Sequence, residues 1–502
     1  ILLLYVIFKY FFQIDMEGKM KKLLFLIGIL SSGLYGASID HIQTYSPDYL
    51  SNQAQTGMID EVSPYYNPAG LSRLDKGKYV HLGLQLANGH EKMSYKGKEH
   101  KAHLTQLIPN VSLTSVDDNG AYFFTFGGLA GGGKLEYDGV SGIDVLSDLE
   151  QFKPLGVYDK GSTLTGKNLY EQATLGRAFT INDQLSVSVA GRIVHGSRNL
   201  SGTLNIGTNP STAYKQAKVQ QVTQEVSKAV DAATQGSGLS AAQIAAIKQQ
   251  KTTQALTLLQ TKMNALQQNG LSGDLDSKRE AWGYGFQIGV NYKVNDKLNL
   301  AARYDSRIKM NFKAKGSENQ LQTADIIGSN IGLSTFYPQY AINSKIRRDL
   351  PAILSVGASY KVTDNYLVST SANYYFNRHA KMDRVTTFGG HEHGRDYKNG
   401  WEIALGNEYK LNDKFTLIGS VNYARTGAKN SSFNDTEYAL NSVTLGAGLR
   451  YKYDDTLSIT GSVAHFIYEK EDGNFKEKYK VNDNQKYHKE ITAFGLSVTK
   501  KF

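Results

Sequence analysis

From Lys78 onward, apolar and polar residues alternate along the chain with a period of two. In 414–424 (KFTLIGSVNYA), Phe415, Leu417, Val421 and Tyr423 share one face, while Thr416, Ser420 and Asn422 share the other. In 442–453, Val443, Leu445, Leu449, Tyr451 and Tyr453 oppose Ser442, Thr444, Arg450 and Lys452. A strand sends successive side chains to opposite faces, so this period predicts half-buried β-strands. Short Asn/Asp turns separate them at 117–120, 182–184, 295–297, 363–365, 412–414 and 454–455, as hairpin chemistry requires. Between these turns lie polar links at about 88–103, 131–167, 196–281, 313–346, 376–398, 427–440 and 469–489. Six short and seven long connections predict fourteen strands, with both ends on the short-turn side.

That one-sided arrangement is the pattern of a transmembrane β-barrel with short periplasmic turns and long outer loops. The fold class expected is therefore all-β: a 14-stranded antiparallel barrel over 78–502. The last strand, EITAFGLSVTKKF, carries Phe494, Leu496 and Val498 in phase with Phe502. Pairing it with the first strand would remove both sheet edges. A secreted sandwich or propeller explains the alternation but not the loop asymmetry.

Composition agrees with that reading. The chain is polar on average, with a mean hydropathy of −0.38, yet it holds 32 Tyr and 49 Gly. A barrel shows lipid only every second strand residue, so overall polarity does not exclude membrane insertion. Cysteine is absent, which rules out a disulfide framework. The net charge is +10, but the basic residues are scattered rather than clustered as a nucleic-acid surface needs. At the start, Met20-Lys21-Lys22, LLFLIGIL and SSGLYGAS read as a signal peptide over 20–37, and 1–19 as non-native upstream translation.

One link changes character. Val219, Val222, Val226 and Val230 recur at helical spacing, and after QGSGLS a second run carries Ile244, Ile247, Ala255, Leu258 and Leu266. Ser240 is placed to cap that run and Asn269-Gly270 to stop it. A helical hairpin over 212–268 is expected inside the 196–281 outer loop.

No catalytic constellation, cofactor motif or metal site emerges. His391 and His393 of the HEH stretch, with His100 and His103, lack zinc-hydrolase spacing and read as surface histidines. GGLAGGGK (127–134) lacks the Ser/Thr and helix of a phosphate loop. Its glycines, Gly127, Gly128, Gly131, Gly132 and Gly133, instead follow an aromatic strand, AYFFTF. Glycine within a strand weakens pairing, so a local opening in the wall is expected there. In 298–312, alternation puts Leu298, Leu300, Tyr304, Ile308, Met310 and Phe312 outward, with Arg303, Asp305, Arg307 and Lys309 inward. Arg192 points inward by the same rule. These cations, Arg192, Arg303, Arg307 and Lys309, are the candidates to bind a carboxylate.

Upstream of all strands stands SPYYNPAGLSR (63–73), where Pro68 fixes its own φ and biases Asn67 to an extended shape. The order NPAGLS, TQLIPNVSL (105–113), the glycine-bearing third strand, WGYGFQIGVNYKV (282–294), YDSRIKMNFKAKG (304–316) and WEIALGNEYKLNDKF (401–415) resembles the FadL family of outer-membrane transporters for long-chain fatty acids. The resemblance runs from about Ser38 to Phe502; the helical insert departs from it. It implies a non-enzymatic monomer that takes up long-chain fatty acids or similar hydrophobic molecules and releases them sideways into outer-membrane lipid. It also implies assembly through the barrel machinery by the strand ending at Phe502. Residues 38–77 would form a hatch with Asn67, Pro68 and Ala69 opposite the kinked third strand. An adhesin or receptor barrel, binding a host or phage surface through its long outer loops, is the alternative function.

Overall fold

The computed structural model describes residues 42–502, apart from 132, 140, 151, 317–318, 325–327, 333, 335–340, 382–384, 387–391, 394–396 and 434–437. The expected signal peptide and upstream segment, Gly132 and His391 therefore lie outside the described residues.

Fourteen strands form the wall: β1 (Gly77–Tyr95), β2 (Lys98–Asp117), β3 (Gly120–Ala130), β4 (Thr163–Thr180), β5 (Leu185–Thr208), β6 (Leu271–Lys293) and β7 (Leu298–Asp305). They continue as β8 (Ile353–Thr363), β9 (Tyr366–Tyr375), β10 (Gly400–Lys410), β11 (Phe415–Arg425), β12 (Ser442–Lys452), β13 (Leu457–Tyr468) and β14 (Lys486–Lys501). Each pairs antiparallel with the next, and β14 closes on β1 from Tyr79↔Lys501 to Ser94↔Lys486. Closure satisfies the backbone without water, the condition for strands to cross a bilayer. Leu82, Leu84, Leu107, Leu175, Trp282, Leu405 and Leu445 face outward and stay exposed, forming an apolar belt. The alternate positions turn Ser112, Ser188, Asn291, Ser371, Asn422 and Ser497 inward, where they are buried.

Two expected links are strand instead. Residues 88–103 continue β1 and β2 to a two-residue turn in which Lys96 and Gly97 both have positive φ, 48° and 82°. That backbone matches the twist of a hairpin, so the sheet runs on to the turn. Likewise 196–206 pairs with 271–281 and the strand runs on to Thr208, so the irregular link of 196–281 narrows to 209–270. Polar strands can project past the lipid, where hydrophobic alternation is no longer imposed. Within the link stand α1 (Thr212–Thr234) and α2 (Ala241–Asn269). Ser240 and Gln243 form a capping box at the start of α2. Lys248 pairs with Asp231 at 2.7 Å between the helices.

Residues 42–74 lie inside the barrel. Inward serines from four strands bind their carbonyls: Ser186 Oγ donates to Ala69 (2.7 Å), Ser359 to Gly57 (2.8 Å), Ser420 to Ser51 (2.7 Å) and Ser462 to Pro47 (2.7 Å). The approach at Gly57 is close enough that a Cβ there would stand 2.3 Å from the Ala358 backbone. These buried carbonyls thus find partners although the segment forms little regular structure of its own.

Candidate functional site

The wall is interrupted between β2 and β3. Their pairing ends at Asn110↔Gly127 and resumes only at Leu104↔Leu135, on a short continuation of β3, Lys134–Tyr137. Thr105 to Pro109 keep their β1 partners on one side and have no strand partners on the other among the described residues. The sequence explains both edges of the break. The Pro109 carbonyl lies 3.4 Å from where a Gly127 Cβ would stand, so its backbone faces β3, and proline brings no N–H to that edge. Across from it, Gly131 has φ 111°, and a Cβ there would come 2.2 Å from the Asn168 carbonyl oxygen. Only glycine takes that path without strain. Outward-facing Leu107, within the break, is 53% exposed, which places the break in the apolar belt.

Behind the break lies a cavity of about 110 Å³, lined by Leu104, Ile108, Leu129, Leu169, Phe466 and Ile491 among others. Gly128, Gly131 and Gly133 form its wall side, and Thr44 and Gln85 reach it from the lumen. Its charged members are Glu91 and Lys489. These are direct cross-strand partners on the β1–β14 closure seam. The Lys489 Nζ stands 3.3 Å from Glu91 Oε1, with the side chains 1% and 4% exposed. It also lies 4.7 Å from the Tyr438 ring centroid and 5.8 Å from that of Tyr468. Tyr137 donates its hydroxyl to Glu91 Oε2 at 3.2 Å. Sequence reading missed this pair because nothing local links two residues so distant along the chain; only closure aligns them.

The cations singled out from the sequence divide into two pairs. Arg192 and Arg303 face inward and are buried, but both turn to Asp305, at 3.6 and 3.1 Å. Arg192 further donates to Gln172, and Arg303 to Gln43 and the Tyr65 carbonyl. Arg307 and Lys309 do not point inward: both are exposed, and Ile308, Met310 and Phe312 are buried instead. The phase of alternation flips at Ser306, whose backbone N–H donates to the Phe286 carbonyl while its Oγ accepts from the Phe286 N–H. That extra residue acts as a bulge, and every side chain beyond it changes face. Arg307 meets Asp349 and the His379 carbonyl.

Asn67 is buried but does not face the β3 break. Its Nδ2 donates to the Met58 carbonyl (2.9 Å) and Asn291 Oδ1 (2.8 Å), and its Oδ1 accepts from the Gly70 N–H (3.2 Å). It therefore ties the loop to β6. Tyr65, two residues earlier, takes the place expected of it: its hydroxyl accepts from Asn110 Nδ2 at 2.9 Å, at the edge of the break. His100, expected at the surface, is buried against Asp144 at 2.6 Å because the Ser141–Asp144 turn folds over it. Among the described residues no cluster of His, Asp or Glu is arranged to hold a metal ion.

A family model described as outer membrane protein transport protein (OMPP1/FadL/TodX) matches residues 160–502. Outer membrane protein P1 of Haemophilus influenzae is 24% identical over 257 residues, 49% of this chain and 52% of that protein. The long-chain fatty acid transport protein of Escherichia coli K12 is 21% identical over 275 residues, 54% of this chain and 58% of that protein. The chain spans about half the length of the curated relatives it matches. Among solved structures, a Pseudomonas aeruginosa FadL homologue superposes with a TM-score of 0.61 at 14% identity, over 93% of this chain and 100% of that one. The P. putida toluene transporter TodX gives 0.59 at 15% identity, over 92% and 99%. These likenesses carry the fold, a closed fourteen-stranded barrel of the bacterial outer membrane, and with the family match they fix its place: the chain belongs to the OMPP1/FadL/TodX family.

Proposed function

We propose that this barrel is a channel for the uptake of hydrophobic small molecules, of the size and apolarity of long-chain fatty acids, with lateral release through the β2–β3 break. The observation that carries this reading is the coincidence of the unpaired stretch Thr105 to Pro109, the apolar cavity behind it and the lipid-level Leu107 outside it. A ligand moving from cavity to bilayer would never cross a charged surface, and each buried methylene contributes about 0.8 kcal/mol toward capture. Residues 42–74 act in this reading as a hatch that blocks straight passage along the lumen. The toluene and fatty acid transporters named above lend the reading support as members of one family.

The test is the double substitution Gly127→Val and Gly128→Val. Cβ atoms at these positions would press on Asn110 and on Ile108 Cγ2, at 2.9 and 2.8 Å, narrowing the break from its β3 side. Uptake of a labelled long-chain alcohol by cells carrying the folded variant, checked by heat-modifiable gel mobility, should fall to background. Unchanged uptake by a folded variant would remove the lateral route.

A further inference from the structure

We propose that the Glu91–Lys489 pair is a specificity element that keeps ionised carboxylates out of the wall cavity and admits uncharged apolar molecules. This rests on the channel reading and narrows its ligand class. Apart from that pair and Thr44, Gln85 and Gln106, the cavity lining is apolar, and at about 110 Å³ the cavity approaches the ~150 Å³ of a protein cavity that admits benzene. It therefore accommodates a ring or a few methylenes at a time. Lys489 would be the natural anchor for a fatty carboxylate, but its charge is already balanced by a carboxylate at 3.3 Å and faced by two tyrosine rings. Glu91 in turn is fixed by the Tyr137 hydroxyl, so it is not free to swing aside. An incoming carboxylate would sit beside Glu91 in a site shielded from water, where like charges repel strongly. A hydrocarbon or alcohol meets no such opposition. The same arrangement recurs deeper in the lumen, where Arg192 and Arg303 share Asp305. Cations facing inward at these places are spent on the protein's own acids.

Equilibrium binding of labelled 1-decanol and decanoate to the full barrel in amphipol at pH 8, where decanoate is ionised, tests the inference. Wild type should prefer decanol by at least about tenfold, the scale on which a neighbouring charge biases a carboxylate. Glu91→Gln should raise the ratio of decanoate to decanol affinity at least about tenfold. Adding Lys489→Met should remove that gain. A purely structural role for the pair would move both ligands in the same direction, and that result overturns the inference. Equal binding of the two probes by wild type overturns it without any variant and leaves the channel reading standing. Saturable binding of neither probe overturns both.

Discussion

Two breaks in the barrel wall, between β2 and β3 and between β6 and β7, have opposite outcomes. Between β2 and β3, Thr105 to Pro109 lack strand partners on the β3 side among the described residues, and a cavity persists behind them. Between β6 and β7, the pairing lapses from Gln287↔Asp305 to Glu280↔Lys313, leaving 281–286 without strand partners on that side. Yet this second break is filled. Ile308 and Met310 turn inward over Gly283, where a Cβ would stand 2.4 Å from each of them. Ile308 also bridges to Leu350 through two backbone hydrogen bonds, at 3.2 and 2.9 Å. Lost pairing is thus not enough to make an opening. The phase flip at Ser306 supplies apolar side chains to the β7 break, whereas the β3 break is edged by glycines that have none to supply.

The largest effect should come from unsealing the filled break. Ile308→Ala with Met310→Ala removes two fully buried side chains, at a cost of about 4 kcal/mol or more given the usual 2–5 for each. The folded band on a heat-modifiable gel should then disappear at a distinctly lower temperature. Mobility equal to wild type would mean that these side chains do not seal the wall.

A smaller change is expected at the open break from Pro109→Thr, which restores a backbone donor on the edge facing β3. Net stabilisation of about 1 kcal/mol, one hydrogen bond's worth, should accompany slower but not abolished uptake of the long-chain alcohol. If stability is unchanged, the missing N–H is not what holds that edge apart.

A third effect, seen as a pH dependence, asks whether the lumenal segment, rather than the wall, governs access. Half-buried Asp60 accepts from the Val62 N–H through Oδ1, while its Oδ2 is buried without a hydrogen-bond partner among the described residues. Burial, with the Glu61 carboxylate beside it, pushes its carboxyl up to about 7. Because the folded state holds the proton more tightly, the seat of this segment should be most stable below about pH 4, the range of a free carboxylate. It should weaken as pH rises from there to about 7. Hydrogen exchange of residues 42–74 against pH would show this slope in wild type and its loss in Asp60→Asn. A flat wild-type profile would refute it.

Alternation alone carried the reading of the wall a long way. With the turn signals that gave the strand count, it put Arg192 and Arg303 inward, since a period of two is a direct image of a sheet with one wet and one apolar face. It failed where one residue breaks the phase: Arg307 and Lys309 follow the Ser306 bulge, which has no compositional mark. It failed again at 88–103 and 196–208, where strands outside the lipid carry Gly, Ser, His and Lys as freely as loops do. The motif around Asn67 was visible as a rigid wedge, but which strand it meets depends on how the segment threads the lumen. Glu91 and Lys489 were invisible for a related reason. Their significance comes from pairing across the whole chain, and neither stretch of sequence differs from an ordinary polar strand.

That pairing also orders events in time. Glu91 and Lys489 lie on the first and last strands of the wall and meet only when those strands join. Until the final seam zips, a nascent barrel has one acid and one base on separate edges and no finished cavity between them. Selectivity therefore arrives in a single step with completion of the fold, and a chain stalled one strand short would be an open sheet, not a leakier version of the same channel.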